Sequence, residues 1–408
     1  MALILFSAAF WSVPAPSAAD PSPGDPALCA WRFMSNDTVL NVAFPDANAT
    51  YWVLPFALGP GDSIELSGTY PDARYFSLNT YGTNFDTVDT LRDDQIVPDP
   101  GSGNPFTDAA AANIPAAQRR WHATLVTGPA DHNRNQIRAL PPSQTAPIGF
   151  LIIRVYVPTD PASLTGGVPL PEVTLEVAGR TVASPPCTRA FDPSAYPGPI
   201  AQAATAGFDQ VIAGAAAGAF PGNVPEATFV NPASTSGLFP NGDNKYIGAG
   251  LTYRPGRLVV VRGKAPDFPD SRAGQSPADP NRQVRYWSMC QNDLVSPYPV
   301  VGCAADYQTH LDANGYYTYV LGAPADLPAN PGPAVTVLPW GSTEVAKKVL
   351  FLRYMLPSGN FYPRSIQASQ DGGSDPAATM GPYYPAATYC GATTFATGGA
   401  AACFDSGH

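Results

Sequence analysis

The sequence predicts an all-β fold: two tandem jelly-roll-like antiparallel β-sandwiches, made by an internal duplication and joined by a linker helix. Three observations carry that expectation. A nine-residue apolar strand occurs twice, as residues 150–158 (FLIIRVYVP) and 349–357 (VLFLRYMLP), each with an arginine at its fifth position and a proline at its end. A short apolar run without in/out alternation reads as a strand buried on both faces, and the proline marks where its ladder stops. Shorter segments around the twins recur in the same order. Finally, 47 prolines and 37 glycines in 408 residues, with only 13% charged residues, suit short strands and tight turns better than long helices.

In chain order, residues 1–19 read as a secretory signal: an apolar stretch ending in Ser17-Ala18-Ala19, small residues at cleavage spacing. The first sandwich is expected over 29–187. Residues 62–68 (DSIELSG) alternate, with Ile64 and Leu66 on one face and Glu65 and Ser67 on the other. Residues 74–78 (RYFSL) form a second strand, and 81–106 read as a polar, acidic loop. Residues 108–117 make at most a helical turn or two before Pro115, and 121–127 (WHATLVT) a third strand ahead of the 150–158 core strand.

The second sandwich is expected over 235–369. Pro255-Gly256 and 257–263 (RLVVVRG) repeat Pro60-Gly61 and the strand after it, and 285–289 (RYWSM) repeat 74–78. Residues 316–320 align with the strand beginning at Trp121, which sets Tyr317 opposite His122 in the comparison. Ala323–Asp326 repeat the turn at Gly128, and Leu338-Pro339 repeat Leu140-Pro141. Five matches in register indicate a duplication, with length differences confined to loops. Between the halves, in the linker 188–234, Ile200, Ala204, Phe208, Val211, Ile212 and Ala215 share one helical face between Pro199 and Pro221. Residues 370–408, rich in Gly, Ala and Tyr, read as a C-terminal tail.

A net charge of −10 gives no electrostatic footprint for nucleic acid, and no segment after the signal has the roughly 18 apolar residues of a membrane span. Six cysteines without Cys-x-x-Cys spacing point to disulfides in an oxidising compartment, secreted or periplasmic. The pairing expected is Cys29–Cys187, Cys290–Cys303 and Cys390–Cys403, one choice among about 15.

Within the second half, Arg285-Tyr286-Trp287-Ser288, residues 312–319 (DANGYYTY), Pro339-Trp340 and residues 352–357 (LRYMLP) stand in series. The series resembles the jelly-roll domain of unknown function DUF1214, found beside a DUF1254 domain in bacterial secreted or envelope proteins. The tryptophan here follows the proline, unlike the family's Asn-Trp-Leu-Pro element. The resemblance implies a jelly roll and brings no catalytic residues with it.

Candidate chemistry is sparse. There is no Gly-x-Ser-x-Gly elbow, and four histidines (His122, His132, His310, His408) are too few for a cupin-type metal set. The acids Asp86, Asp89, Asp93, Asp94 and Asp99, with Arg92 among them, could serve as a solvated loop, a calcium site or a glycosidase pair. The repeated arginines, Arg74 with Arg285 and Arg154 with Arg353, read as anion clamps or as structural residues bonded to Asp131, Asp326 or strand-end carbonyls. Neighbouring tyrosines, Tyr316-Tyr317 and Tyr383-Tyr384, could offer stacking platforms. The expectation is therefore a secreted, non-catalytic glycan- or envelope-binding or structural protein, with Tyr316, Tyr317 and Arg92 as binding residues and no required cofactor. The alternative is a secreted carbohydrate hydrolase using a pair from Asp93, Asp94 and Asp99.

Overall fold

The structure is a computed structural model that describes residues 29–187, 199–220, 225–277 and 279–405. The expected signal segment lies outside the described residues. In the first sandwich an inner sheet runs in the order β1 (Phe33–Ser35), β2 (Ala49–Ala57), β8 (Ile148–Pro158), β4 (Ala73–Tyr81), β5 (Thr87–Arg92). Its outer sheet runs β10 (Arg180–Ser184), β9 (Glu172–Val177), β3 (Ser63–Thr69), β6 (Arg120–Val126), β7 (Gln136–Arg138). The second inner sheet runs β11 (Asn244–Thr252), β17 (Lys347–Pro357), β13 (Val284–Asp293), β14 (Val300–Ala305). The second outer sheet runs β16 (Val335–Pro339), β15 (Tyr316–Gly322), β12 (Arg257–Lys264), β18 (Ala386–Gly391).

The duplication is visible strand for strand. β2-β8-β4-β5 has the order of β11-β17-β13-β14, and β9-β3-β6-β7 that of β18-β12-β15-β16, including one parallel pair at the same place in each. Arg154 pairs with Ser77 and Tyr51, and Arg353 with Ser288 and Tyr246, so the two arginines occupy one position of the repeat.

The two inner sheets face each other, giving four stacked layers. On β8, Leu151, Ile153 and Val155 enter the first sandwich core while Ile152 and Tyr156 enter a separate cluster between the inner sheets. On β17, Leu350, Leu352 and Tyr354 enter the second core while Met355 joins the cluster between the sheets. This is the physical reason both strands are apolar throughout: one face meets its own sandwich, the other meets the duplicate.

The three disulfides have the expected pairing. Cys29–Cys187 joins the ends of the first sandwich, Cys290–Cys303 links directly paired residues of β13 and β14, and Cys390–Cys403 ties β18 to the helix that follows. Such a set belongs to an oxidising compartment. The linker helix, α1 (Pro199–Ala219), forms where its apolar period and flanking prolines place it, with Ile212 buried. No helix among the described residues is long and apolar enough to cross a membrane.

Three expectations need correction. The acidic stretch after Tyr81 is not all loop: residues 87–92 (TVDTLR) form β5, because β-branched Thr87, Val88 and Thr90 with buried Leu91 suit an antiparallel partner to β4. The segment expected as a tail over 370–408 is no free tail over its described residues, up to Asp405, since β18 completes the second outer sheet and helix α4 (Ala392–Asp405) covers that sheet; α2 (Ile366–Asp371) and α3 (Pro376–Met380) precede it. The third concerns register. Gly68 pairs with Trp121 and Gly263 with Tyr317, so Tyr317 is the counterpart of Trp121, and His122 corresponds to Thr318. A slip of one residue exchanges the two faces of a strand. Tyr317 is therefore a core residue, fully buried like Trp121.

Candidate functional site

The contacts between the inner sheets are reciprocal. Arg74 of the first sandwich reaches Asp306 of the second, its Nη1 donating to both carboxylate oxygens at 3.0 and 2.9 Å. Arg285, the counterpart of Arg74, reaches back to Asp93 at 3.3 Å. Asp93 accepts the backbone N–H of Phe76, and Asp306 accepts that of Trp287, which follows the same strand position, so the two acids are counterparts too. Burial pushes each carboxyl up to about 6, against the opposing pull of its arginine. Arg154 Nη2 donates to the carbonyl of Phe239, and Arg353 Nη2 to that of Phe44, each at 2.6 Å and each across the interface. The two halves thus meet about a pseudo-twofold axis, as two subunits of a homodimer would.

The carbonyls belong to a second repeated element, Phe44-Pro45-Asp46 and Phe239-Pro240-Asn241, in which Phe44 and Phe239 both take left-handed backbone conformations. At its third position the repeat breaks symmetry. Asp46 lies 3.7 Å from Arg353 Nη1 and accepts from Tyr286 Oη and Ser288 Oγ. Asn241 is neutral and gives Arg154 no counter-charge. Arg154 is buried, stacks at 4.9 Å over Tyr51 and also donates to Tyr81 Oη at 2.7 Å. Its Nε has no hydrogen-bond partner and no carboxylate pairs with it among the described residues.

These groups line a mainly apolar cavity of about 390 Å³ between the sandwiches, walled by Phe33, Val53, Ile152, Phe239 and Phe351 among others. Arg154, Arg353, Tyr51 and Tyr156 line it too, and α1 contributes Phe208 and Asp209. Burial pushes the hydroxyls of Tyr51 and Tyr81 up, so both stay neutral at physiological pH. A volume of this size, with few convergent polar groups in an apolar wall at a domain junction, is that of a small-molecule site. A polar cleft of about 390 Å³, lined by Asp86, Ser236, Lys245 and Gln370, adjoins it and shares Asn244 and Tyr246.

The residues singled out from sequence lie elsewhere. Asp93 is fully buried in its ion pair with Arg285, Asp94 pairs with Arg92 at 2.7 Å, and Asp99 meets exposed His122 at 2.8 Å. Asp86 accepts from Gly237 N at 2.9 Å and Asp89 from His132 at 3.0 Å. Each acid of the stretch has its own partner, and none of the five belongs to a cluster of three potential metal ligands among the described residues. The one cluster of three potential metal-ligating side chains among the described residues is Asp46 with Cys290 and Cys303, whose sulfurs are bonded to each other. Arg92 bridges Asp94 and Asp243, holding the halves together. Tyr317 offers no exposed platform, because its ring fills the core beside Trp287. Tyr316 is half-buried, with Arg262 over its ring at 5.0 Å. Asp131 and Asp326 pair with neither repeated arginine: Asp131 caps a 3-10 turn, and Asp326 accepts from Gly256 N and Tyr253 Oη.

The site's own residues left a signal in the sequence that periodicity does not catch. Phe44-Pro45 and Phe239-Pro240 stand the same distance before Tyr51 and Tyr246, and the Asp46/Asn241 difference marks where the copies diverge.

No family model matches the chain, and no curated protein matches it. Among solved structures it is similar to an uncharacterized protein from Burkholderia cenocepacia, with TM-score 0.53 and 12% identity over 90% of this chain and 84% of that one. A likeness at that identity speaks for the fold alone. The VPA0106 protein from Vibrio parahaemolyticus aligns at TM-score 0.39 and 11% identity, covering 85% of this chain and 89% of that one. That value is too low to carry an argument.

Proposed function

We propose that this is a secreted, non-catalytic binding protein, and that its binding site is the cavity between the sandwiches. The observation that carries the reading is Arg154, a buried permanent cation lining an apolar cavity at a domain junction with no carboxylate partner among the described residues. A cation held so costs free energy, and a site for ligand is where a fold retains such a cost. The ligand class expected of a secreted protein was a glycan or another envelope component. The apolar lining favours the second: a hydrophilic glycan would have to leave its hydration shell for a wall with few hydrogen-bonding groups. Hydrolysis finds less support, because the acids of residues 86–99 are each bound to another side chain or backbone group.

A neutral fluorescent probe, N-phenyl-1-naphthylamine, tests the cavity itself. Its emission should rise saturably with one site per chain, and Val53→Trp, which fills part of the cavity from a half-buried wall position, should weaken binding at least tenfold. Linear, non-saturating uptake, or binding indifferent to the substitution, would sink the assignment.

A further inference from the structure

The asymmetry of the duplicated site points to what the cavity receives, an inference that rests on the binding reading above. Consider the charges that face it. Arg353 has Asp46 3.7 Å away, hydrogen-bonds the Phe44 carbonyl, and lies 5.7 and 5.9 Å from the Phe351 and Tyr246 rings. Arg154 has Asn241 where its twin has Asp46. Asp209 lines the cavity from α1 and forms an ion pair with neither guanidinium among the described residues. A guanidinium carries five N–H donors in a planar fork. Two hydrogen bonds leave Arg154 Nη2, to Tyr81 Oη and Phe239 O, and Nε has no partner. The residue is 6% exposed, so bulk water does little to satisfy it. No carboxylate pairs directly with Arg154 among the described residues, and the Tyr51 ring and the Tyr81 hydroxyl hold its guanidinium in place.

We infer that the cavity binds a single-chain amphiphile with one carboxylate head, the head on Arg154 and the chain against Val53, Ile152 and Phe239. A cavity of about 390 Å³ corresponds to about a dozen water volumes, so a head with roughly ten carbons fills it. In the second copy the acid stands two residues on, at Asp243, where it accepts from Tyr75 Oη at 2.7 Å and pairs with Arg92; the ligand carboxylate would supply Arg154 with the direct counter-charge that Asp46 gives Arg353, in a site where charge-assisted hydrogen bonds are strong. The apolar body adds affinity without selectivity. Discrimination between anionic and neutral ligands therefore belongs to Arg154.

The test is calorimetric titration of the intact chain with decanoate, 1-decanol and decyltrimethylammonium, beside the neutral naphthylamine probe. Decanoate should bind once per chain, at least tenfold tighter than decanol, and the cation should not compete with the probe. Arg154→Met keeps the length and apolar stem, and should reduce the decanoate-to-decanol ratio to about one while the probe still binds. Equal affinity of the wild-type chain for acid and alcohol overturns the carboxylate assignment while leaving the cavity reading intact. Failure of every ligand, the probe included, overturns the cavity reading itself. If Arg154→Met does not fold, the wild-type ratio decides, and Val53→Trp locates the acid: decanoate binding that survives that substitution unchanged refutes the assignment.

Discussion

Glycine at the far end of a strand can be a packing requirement, and Gly68 and Gly263 are two instances of the same one. A β-carbon on Gly68 would overlap the six-membered ring of the Trp121 indole, and one on Gly263 the hydroxyl end of Tyr317. In both copies the aromatic side chain of the directly paired residue occupies the space a β-carbon would take. Gly68→Ala should accordingly destabilise the chain by about 2 kcal/mol, the cost of overpacking a filled core. Gly128→Ala, where added bulk meets nothing, should change stability by less than about 0.5 kcal/mol, the usual range for surface positions. Equal denaturation midpoints for the two variants would contradict this account. The glycines at matching strand ends were legible in the sequence. Their partner rings were misplaced by one residue, because Trp121 aligns with either Tyr316 or Tyr317 on chemistry alone, and only the cross-strand register decides.

Elements reveal their environment when their apolar pattern exceeds what one face needs. Residues 62–68 alternate, and the outer face of β3 is polar: Glu65 accepts from Thr124, and Ser67 from Arg120. The matching run in β12, Leu258 to Val261, is apolar on both faces, and its outer side, Leu258 and Val260, packs against Phe395 and the Cys390–Cys403 region. The cover was therefore implied by the strand, although the Gly- and Ala-rich composition of the cover itself hid its role. Phe395→Ala should cost about 3 kcal/mol, as for other buried Phe truncations. Removing residues 392–408 in a Cys390→Ser background should leave an apolar outer sheet face and drive self-association, visible by light scattering. A truncated chain that stays monomeric with unchanged stability would show that α4 is dispensable. β5 was illegible for the opposite reason: Asp89 within it and the acids around it masked a strand whose Thr87 and Arg92 bond across the domain junction, to the Pro240 carbonyl and Asp243, rather than facing bulk water.

At the scale of the whole molecule, the sequence discloses two copies but not how they meet. The contacts that join them lie 232 residues apart for Arg74 with Asp306 and 192 apart for Arg285 with Asp93, beyond any periodicity. Only the recurrence of each arginine in both copies hinted at a shared task, and the pseudo-twofold axis explains it: the Arg74–Asp306 and Arg154–carbonyl contacts recur as Arg285–Asp93 and Arg353–carbonyl because the interface is largely self-complementary. The same symmetry makes a pH prediction. Asp93 and Asp306 have carboxyl pKa values of about 6 in the folded chain against 3.8 for the free side chain, burial outweighing the arginines. Between those values the folded state binds more protons than the unfolded one. The contribution of these carboxyls to stability is thus fully present below pH 3.8 and is lost as pH rises through 6. Asp93→Asn and Asp306→Asn remove one titration each, so subtracting variant from wild-type stability cancels all other groups. That difference should fall by roughly 2 kcal/mol per carboxyl between pH 4.5 and 7, at 1.36 kcal/mol per unit. The two single variants should behave alike, being counterparts about the axis. A difference that instead grows with pH would mean that the arginines outweigh burial, and that both carboxylates are held ionised at the interface.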